Sequence, residues 1–215
     1  MPDSTINTSR SPRLLAGNYA IMLVATCAFA VQMLVDPQAR YLSGLILEKW
    51  NLPGLLGHMW LHMTMLHLVT NLITLWIFGR YVCPLLGNVP YALAYVIVGM
   101  AAGMVHVVLD GRPALGASGA IMGIFGMHVV ICFRQFGRLG PWLVFTWFVA
   151  TLGAGIIGGI PDAYFDHAGG FLCGMLLAFC LVLFRFVKLD DTDPALVTLL
   201  RRLSPRRHRR TLDAP

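Results

Sequence analysis

Leu115 to Gly126 reads LGASGAIMGIFG, a single serine among glycines at the head of an apolar run. The next charged residue, Arg134, lies sixteen positions beyond Ser118. As a helix that distance rises about 24 Å, short of the roughly 30 Å of a bilayer's hydrocarbon core. The serine is therefore expected below the outer surface, at the start of a helix too short to reach it. Gly119, Gly123 and Gly126 follow at i, i+4 and i+7, a small-residue stripe of the kind that lets helices in lipid approach backbone to backbone.

The rest of the chain supports a membrane setting. Its 215 residues are 57% hydrophobic and 12% charged, with a mean hydropathy of +0.71, which is not the composition of a soluble domain. Apolar runs bounded by charge, Pro or Gly predict six spans near 15–35, 60–79, 90–109, 118–133, 142–159 and 168–187. The expected fold is an all-α membrane protein with a six-helix domain over 15–188, a polar N-terminal tail over 1–14 and a basic C-terminal tail over 189–215.

The net charge of +6 does not point to nucleic acid. With six spans and a cytoplasmic N-terminus, Arg10, Arg13, Arg80, Arg134, Arg138, Arg185, Lys188 and the six arginines from Arg201 to Arg210 all fall inside. Only Arg40, Lys49 and Arg112 fall outside, so the positive-inside rule predicts N-in and C-in. The tail RRLSPRRHRR reads as a topology determinant, with binding to anionic lipid heads as the other reading. Ala28-Phe29-Ala30 resembles a signal-peptide cleavage site, but cleavage would leave five spans and move the basic tail outside, so an uncleaved anchor is expected. Compactness and the lack of a presequence suggest a bacterial inner membrane. The five cysteines follow no metal or disulfide spacing.

Polar groups at membrane depth are costly and so are functional candidates. They concentrate in WLHMTMLHLVTN, LGASGA and DHAGGFLCG. Counting back from Arg185 sets His167 about 27 Å up its helix, close to the level of Ser118, and counting back from Arg80 sets His67 at about 20 Å and Asn71 at about 14 Å. His67 and Asn71, at i and i+4, share a helix face. His62 should point about 140° away from His67 if the helix runs through both. His167, Gly170 and Gly174 form a second stripe, and docking it on Gly119, Gly123 and Gly126 would bring His167 beside Ser118. Gly111 to Ala117 is expected to be non-helical backbone at or below the surface, tolerated only if packed in protein or lining a wet cavity.

A serine hydroxyl needs an adjacent base to become a nucleophile, and imidazole is the usual partner. Ser118 and His167 would form that pair. The backbone N–H of Ser118, orphaned at a helix start, and the side chains of His67 and Asn71 are candidate oxyanion donors. Asp166 diverges from His167 by about 100° on a helix, so a dyad is expected, with Asp166 as loop or cap. A metal site at His62, His67 and His167 is not expected, because the first two splay apart and no carboxylate or thiol completes the set. His106 and His128 read as interhelical hydrogen-bonding groups. Pro161 to Phe165 is either a turn or a mobile cap over the site.

With these residues in view, the sequence resembles the rhomboid family of intramembrane serine proteases over roughly residues 55–185. The resemblance rests on His62-x4-His67-x3-Asn71, on Gly116-Ala117-Ser118-Gly119 and on His167-x2-Gly170-x3-Gly174, in order and on the matching spans. It implies a six-helix bundle with a short central fourth helix, cleaving transmembrane protein substrates near the outer face of the lipid bilayer with neither metal nor cofactor. By position, Ser118 matches the nucleophile, His167 the general base, His67 and Asn71 the oxyanion-stabilising pair, and His62 an upstream structural histidine. Three positions depart from the family pattern: Trp50 lacks a following Arg, Met122 stands where a tyrosine often packs on the base, and Asp166 replaces the common alanine.

Three other functions are compatible with parts of this pattern. One is a sorting-type member that processes proteins with C-terminal glycine-rich anchors. Another is an inactive rhomboid-like protein that binds transmembrane helices, which would have no need of an intact dyad. A transporter is the third, against which stands the lack of paired broken helices in the two halves.

Overall fold

A computed structural model describes residues 15–36, 43–48, 50–131, 164–184 and 186–187. Their longer elements are the helices α1 (Ala16–Val35), α2 (Leu52–Gly57), α3 (Met65–Leu86), α4 (Asn88–Leu109), α5 (Ser118–Ile131) and α6 (Tyr164–Leu183). Four of these, α1, α3, α4 and α6, are long and apolar enough to cross a membrane, and α5 is a shorter apolar helix of 14 residues. The chain is thus a multi-pass integral membrane protein. The span expected at 142–159 and both expected tails, 1–14 and 189–215, lie outside the described residues.

Two helices start elsewhere than hydropathy suggests. The span expected at 60–79 is Met65–Leu86, because Thr64 adopts extended backbone and its side chain accepts the His67 N–H at 3.1 Å, an N-cap that fixes where the helix begins. Arg80 does not end this helix. Its guanidinium folds over the Trp76 and Tyr81 rings at 5.1 and 5.3 Å, so a charge inside the helix is carried by its aromatic neighbours. The span expected at 168–187 is Tyr164–Leu183, which puts Asp166 and His167 in the first turn.

α3 and α4 are joined by one residue, Gly87, at φ +89°, whose N–H donates to the Cys83 carbonyl at 2.8 Å. A side chain at that φ would be strained, whereas glycine is not. α1 is held to this hairpin by buried polar contacts: Tyr91 Oη donates to Asn18 Oδ1 at 2.7 Å, and the Gly17 N–H donates to Asn88 Oδ1 at 2.9 Å. Such bonds matter between helices in lipid, where apolar surface alone gives little drive to associate.

α5 is the inner element of the described bundle. Every residue from Gly119 to His128 is buried, as befits a helix apolar all round, and it packs against α3, α4 and most extensively α6. The contact with α6 is made of backbone. A Cβ at Gly170 would overlap the Gly119 carbonyl oxygen, one at Gly174 the Gly123 carbonyl oxygen, and one at Gly126 the Phe171 carbonyl oxygen. The two expected stripes therefore dock, but in a register rotated by one residue. The row on α6 that faces α5 is Asp166, Gly170 and Gly174, at i, i+4 and i+8, while Gly169 faces Val105 of α4.

Because carbonyl oxygens cannot yield as a flexible side chain can, Gly170→Ala and Gly174→Ala should each destabilise the protein by about 1–3 kcal/mol or more. Gly44→Ala, where an added Cβ meets nothing within 4 Å, should leave stability unchanged. Thermal unfolding of the detergent-solubilised protein measures all three.

Candidate active site

Ser118 is the first residue of α5. The Ala117 carbonyl accepts the first intrahelical bond, from the Ile121 N–H at 3.0 Å, so the N–H groups of Ser118, Gly119 and Ala120 have no partner within the helix. The chain before the serine is irregular, exposed from Gly111 to Pro113 and buried at Gly116 and Ala117. Leu47 and Ala114 exchange two backbone bonds of 3.0 Å, and the Gly116 N–H donates to the His58 carbonyl at 2.8 Å. Further out, His106 Nε2 donates to the Arg112 carbonyl at 2.9 Å, and Arg112 Nε and Nη2 donate to the Asp110 carboxylate at 2.5 and 2.7 Å. These bonds satisfy backbone that would otherwise be costly at this depth. His106, expected to bond between helices, bonds this segment instead.

Gly116 brings the first motif to the second. Its φ is +137°, and a Cβ there would stand 2.7 Å from His67 Cε1, 3.0 Å from His67 Nε2 and 3.7 Å from Ser118 Oγ. The imidazole and the hydroxyl thus border the same backbone atom, and only glycine fits between them. Asn71 follows His67 on the same face, is 8% exposed, and has Nδ2 buried without a hydrogen-bond partner.

His62 is not turned away from His67. The rings lie 5.2 Å apart at 70°. The 140° separation assumed a continuous helix, and α3 begins only at Met65. Gln32 of α1 holds the backbone here from both sides, its Nε2 donating to the His62 carbonyl at 2.8 Å and its Oε1 accepting the His62 N–H at 3.1 Å. Burial, and then the neighbouring His67, lower the His62 imidazole from 6.5 to about 4. Gln32 and His58 were not singled out from sequence. The signal was present for Gln32, a strongly polar residue near the end of an apolar span.

His167 sits in the first turn of α6, within electrostatic reach of His67 and His106, with Nε2 buried and without a hydrogen-bond partner. No Ser118–His167 hydrogen bond is formed in this structure. Asp166 is neither loop nor cap of its own helix. It is 5% exposed, with its carboxylate against Gly119. Met122 is core, and the His128 ring packs between Phe78 and Tyr81, with centroids 5.3 Å from each. Among the described residues no three His, Cys, Asp or Glu side chains converge as a metal site requires.

A hydroxyl at a helix start, imidazoles on α3 and α6, and N–H groups left without an intrahelical partner are groups that acyl transfer uses. Residues 49–184 match the family model described as Rhomboid domain. The chain is similar to RHOMBOID-like protein 6, mitochondrial, of Arabidopsis thaliana, 30% identical over 142 residues that cover 63% of this chain and 45% of that protein. It is also similar to Presenilin-associated rhomboid-like protein, mitochondrial, of Homo sapiens, 29% identical over 188 residues that cover 79% of this chain and 48% of that protein. The chain spans less than half the length of these relatives.

The lowered His62 has a consequence for pH. Its folded value lies below its unfolded one, so the unfolded chain binds the proton first, and stability is full above about pH 6.5 and lost as pH falls toward about 4. The thermal midpoint in detergent should be level at neutral pH and decline across that window, and His62→Leu should make the decline shallower. An identical slope in His62→Leu would show that His62 is not protonated on unfolding there.

Proposed function

The chain belongs to the rhomboid family, and from that premise we propose that it is an intramembrane serine endopeptidase that cleaves transmembrane substrates near the outer face of the membrane. In this reading α5 is the short fourth span of a six-helix bundle whose fifth span lies at 142–159. The termini are cytoplasmic, as the distribution of arginine and lysine supports, so the start of α5 opens toward the outer side.

Ser118 Oγ attacks the scissile carbonyl carbon while His167 accepts the hydroxyl proton. The oxyanion that forms accepts hydrogen bonds from the Ser118 N–H, His67 and Asn71. Collapse of this intermediate breaks the C–N bond, and His167 returns the proton to the leaving amine. Water, deprotonated by His167, then hydrolyses the acyl ester and frees Ser118. The observation that carries this reading is Gly116, whose backbone is pressed between the His67 imidazole and the Ser118 hydroxyl.

One observation favours a second reading, a rhomboid-like protein that binds transmembrane helices without cutting them: His167 Nε2 has no partner. The two readings differ in whether substrate binding closes the gap to Ser118. Residence in a bacterial inner membrane is a separate proposal resting on compactness, since the relatives named above are plant and human.

Wild-type protein in detergent should cleave a single-span reporter, and Ser118→Ala and His167→Ala should each lose about 10³-fold or more of kcat. His67→Ala and Asn71→Ala should each cost about 10- to 10³-fold in kcat, as expected for loss of one oxyanion donor. Cleavage surviving in both Ser118→Ala and His167→Ala would contradict the assignment.

A further inference from the structure

The row of α6 that docks on α5 includes one ionisable residue, to which the reaction above gives no part. Asp166 precedes Gly170 by one turn and is buried, with both carboxylate oxygens and Cγ where a Cβ on Gly119 would stand. α5, for its part, begins with a defect. Its N-cap is Ala117, a methyl at the position where Ser, Thr, Asp or Asn ordinarily accepts the N–H of the second or third helical residue. Gly119 is that second residue, and the buried Asp166 carboxylate lies directly against its backbone.

We propose that Asp166 is a positioning residue, a helix cap supplied by α6 that fixes the start of α5 and so holds Ser118 in register with His167. Asp166 and His167 are consecutive, as are Ser118 and Gly119, so one contact ties together the two backbones that carry base and nucleophile. The glycine contacts further along, Gly170 on Gly119 and Gly174 on Gly123, set the distance between the helices but not the direction of the first turn of α5. The cap sets that direction. A carboxylate at a helix N-terminus is also favoured by the helix dipole. The second oxygen, Oδ1, has no hydrogen-bond partner, and the buried, likewise unpartnered hydroxyl of Tyr95 on α4 lies within electrostatic reach.

The kinetic part of this inference rests on the protease reading, so the test has an arm that does not. Asp166→Ala and Asp166→Asn are compared with the wild-type full chain in detergent, reading kcat and KM on a single-span reporter and amide hydrogen exchange over residues 116–121. Asp166→Ala should remain folded, exchange the Gly119 amide faster, and lose about tenfold or more in kcat with KM within about twofold. Asp166→Asn keeps an acceptor oxygen in place and should recover most of both. Unchanged exchange and kcat in Asp166→Ala would overturn the proposal, as would equal losses in Ala and Asn. If the wild-type chain does not cleave at all, the protease reading fails, and exchange alone decides the cap: protection lost in Ala and kept in Asn supports it, and any other pattern refutes it.

Discussion

The backbone contact between α5 and α6 governs the rest of this structure. With Gly170 on the Gly119 carbonyl and Gly174 on the Gly123 carbonyl, the helices meet where no side chain can intervene. In lipid, such a contact is what packing can gain when apolar burial offers little. It forces α5 into the interior, buried from Gly119 to His128, and it brings the first turn of α6 to the serine. A chain that fills the interface with larger residues would push the first turn of α6 away from the start of α5.

A second constraint comes from the chain before α5. The segment leading into α5 has no helical bonds of its own, and it is held by Leu47, His58 and His106. Gln32 clamps the backbone of His62, and the His62 ring backs that of His67. The His67 imidazole is thus pressed toward Gly116 from behind. The function proposed for this site depends on both supports, since an oxyanion donor must be held before charge develops rather than recruited afterwards.

Much of this was legible in the sequence because its signals are local. The charge-bounded apolar runs placed five of the described helices, and the spacing of Gly119, Gly123, Gly126, Gly170 and Gly174 announced the docking. What was not legible depends on register or on distant partners. Hydropathy continues smoothly through His62, so it cannot tell that Thr64 caps the helix and leaves His62 outside it. His167 and Asp166 are one residue apart, and which of them faces α5 is decided by a tertiary rotation that the glycine spacing alone leaves open. Ala117 is uninformative by itself, because its missing cap is supplied from α6. Gln32 is bound to a residue thirty positions away, which no periodicity reveals.

The central claim is that Ser118 is a nucleophile activated by His167. Incubation of folded wild-type protein with a fluorophosphonate probe, followed by peptide mass mapping, tests it without any assumption about substrate. The probe should be found on Ser118, and the labelling rate should collapse in His167→Ala. Absence of label on Ser118 in the folded wild type, or an undiminished rate in His167→Ala, would contradict the account.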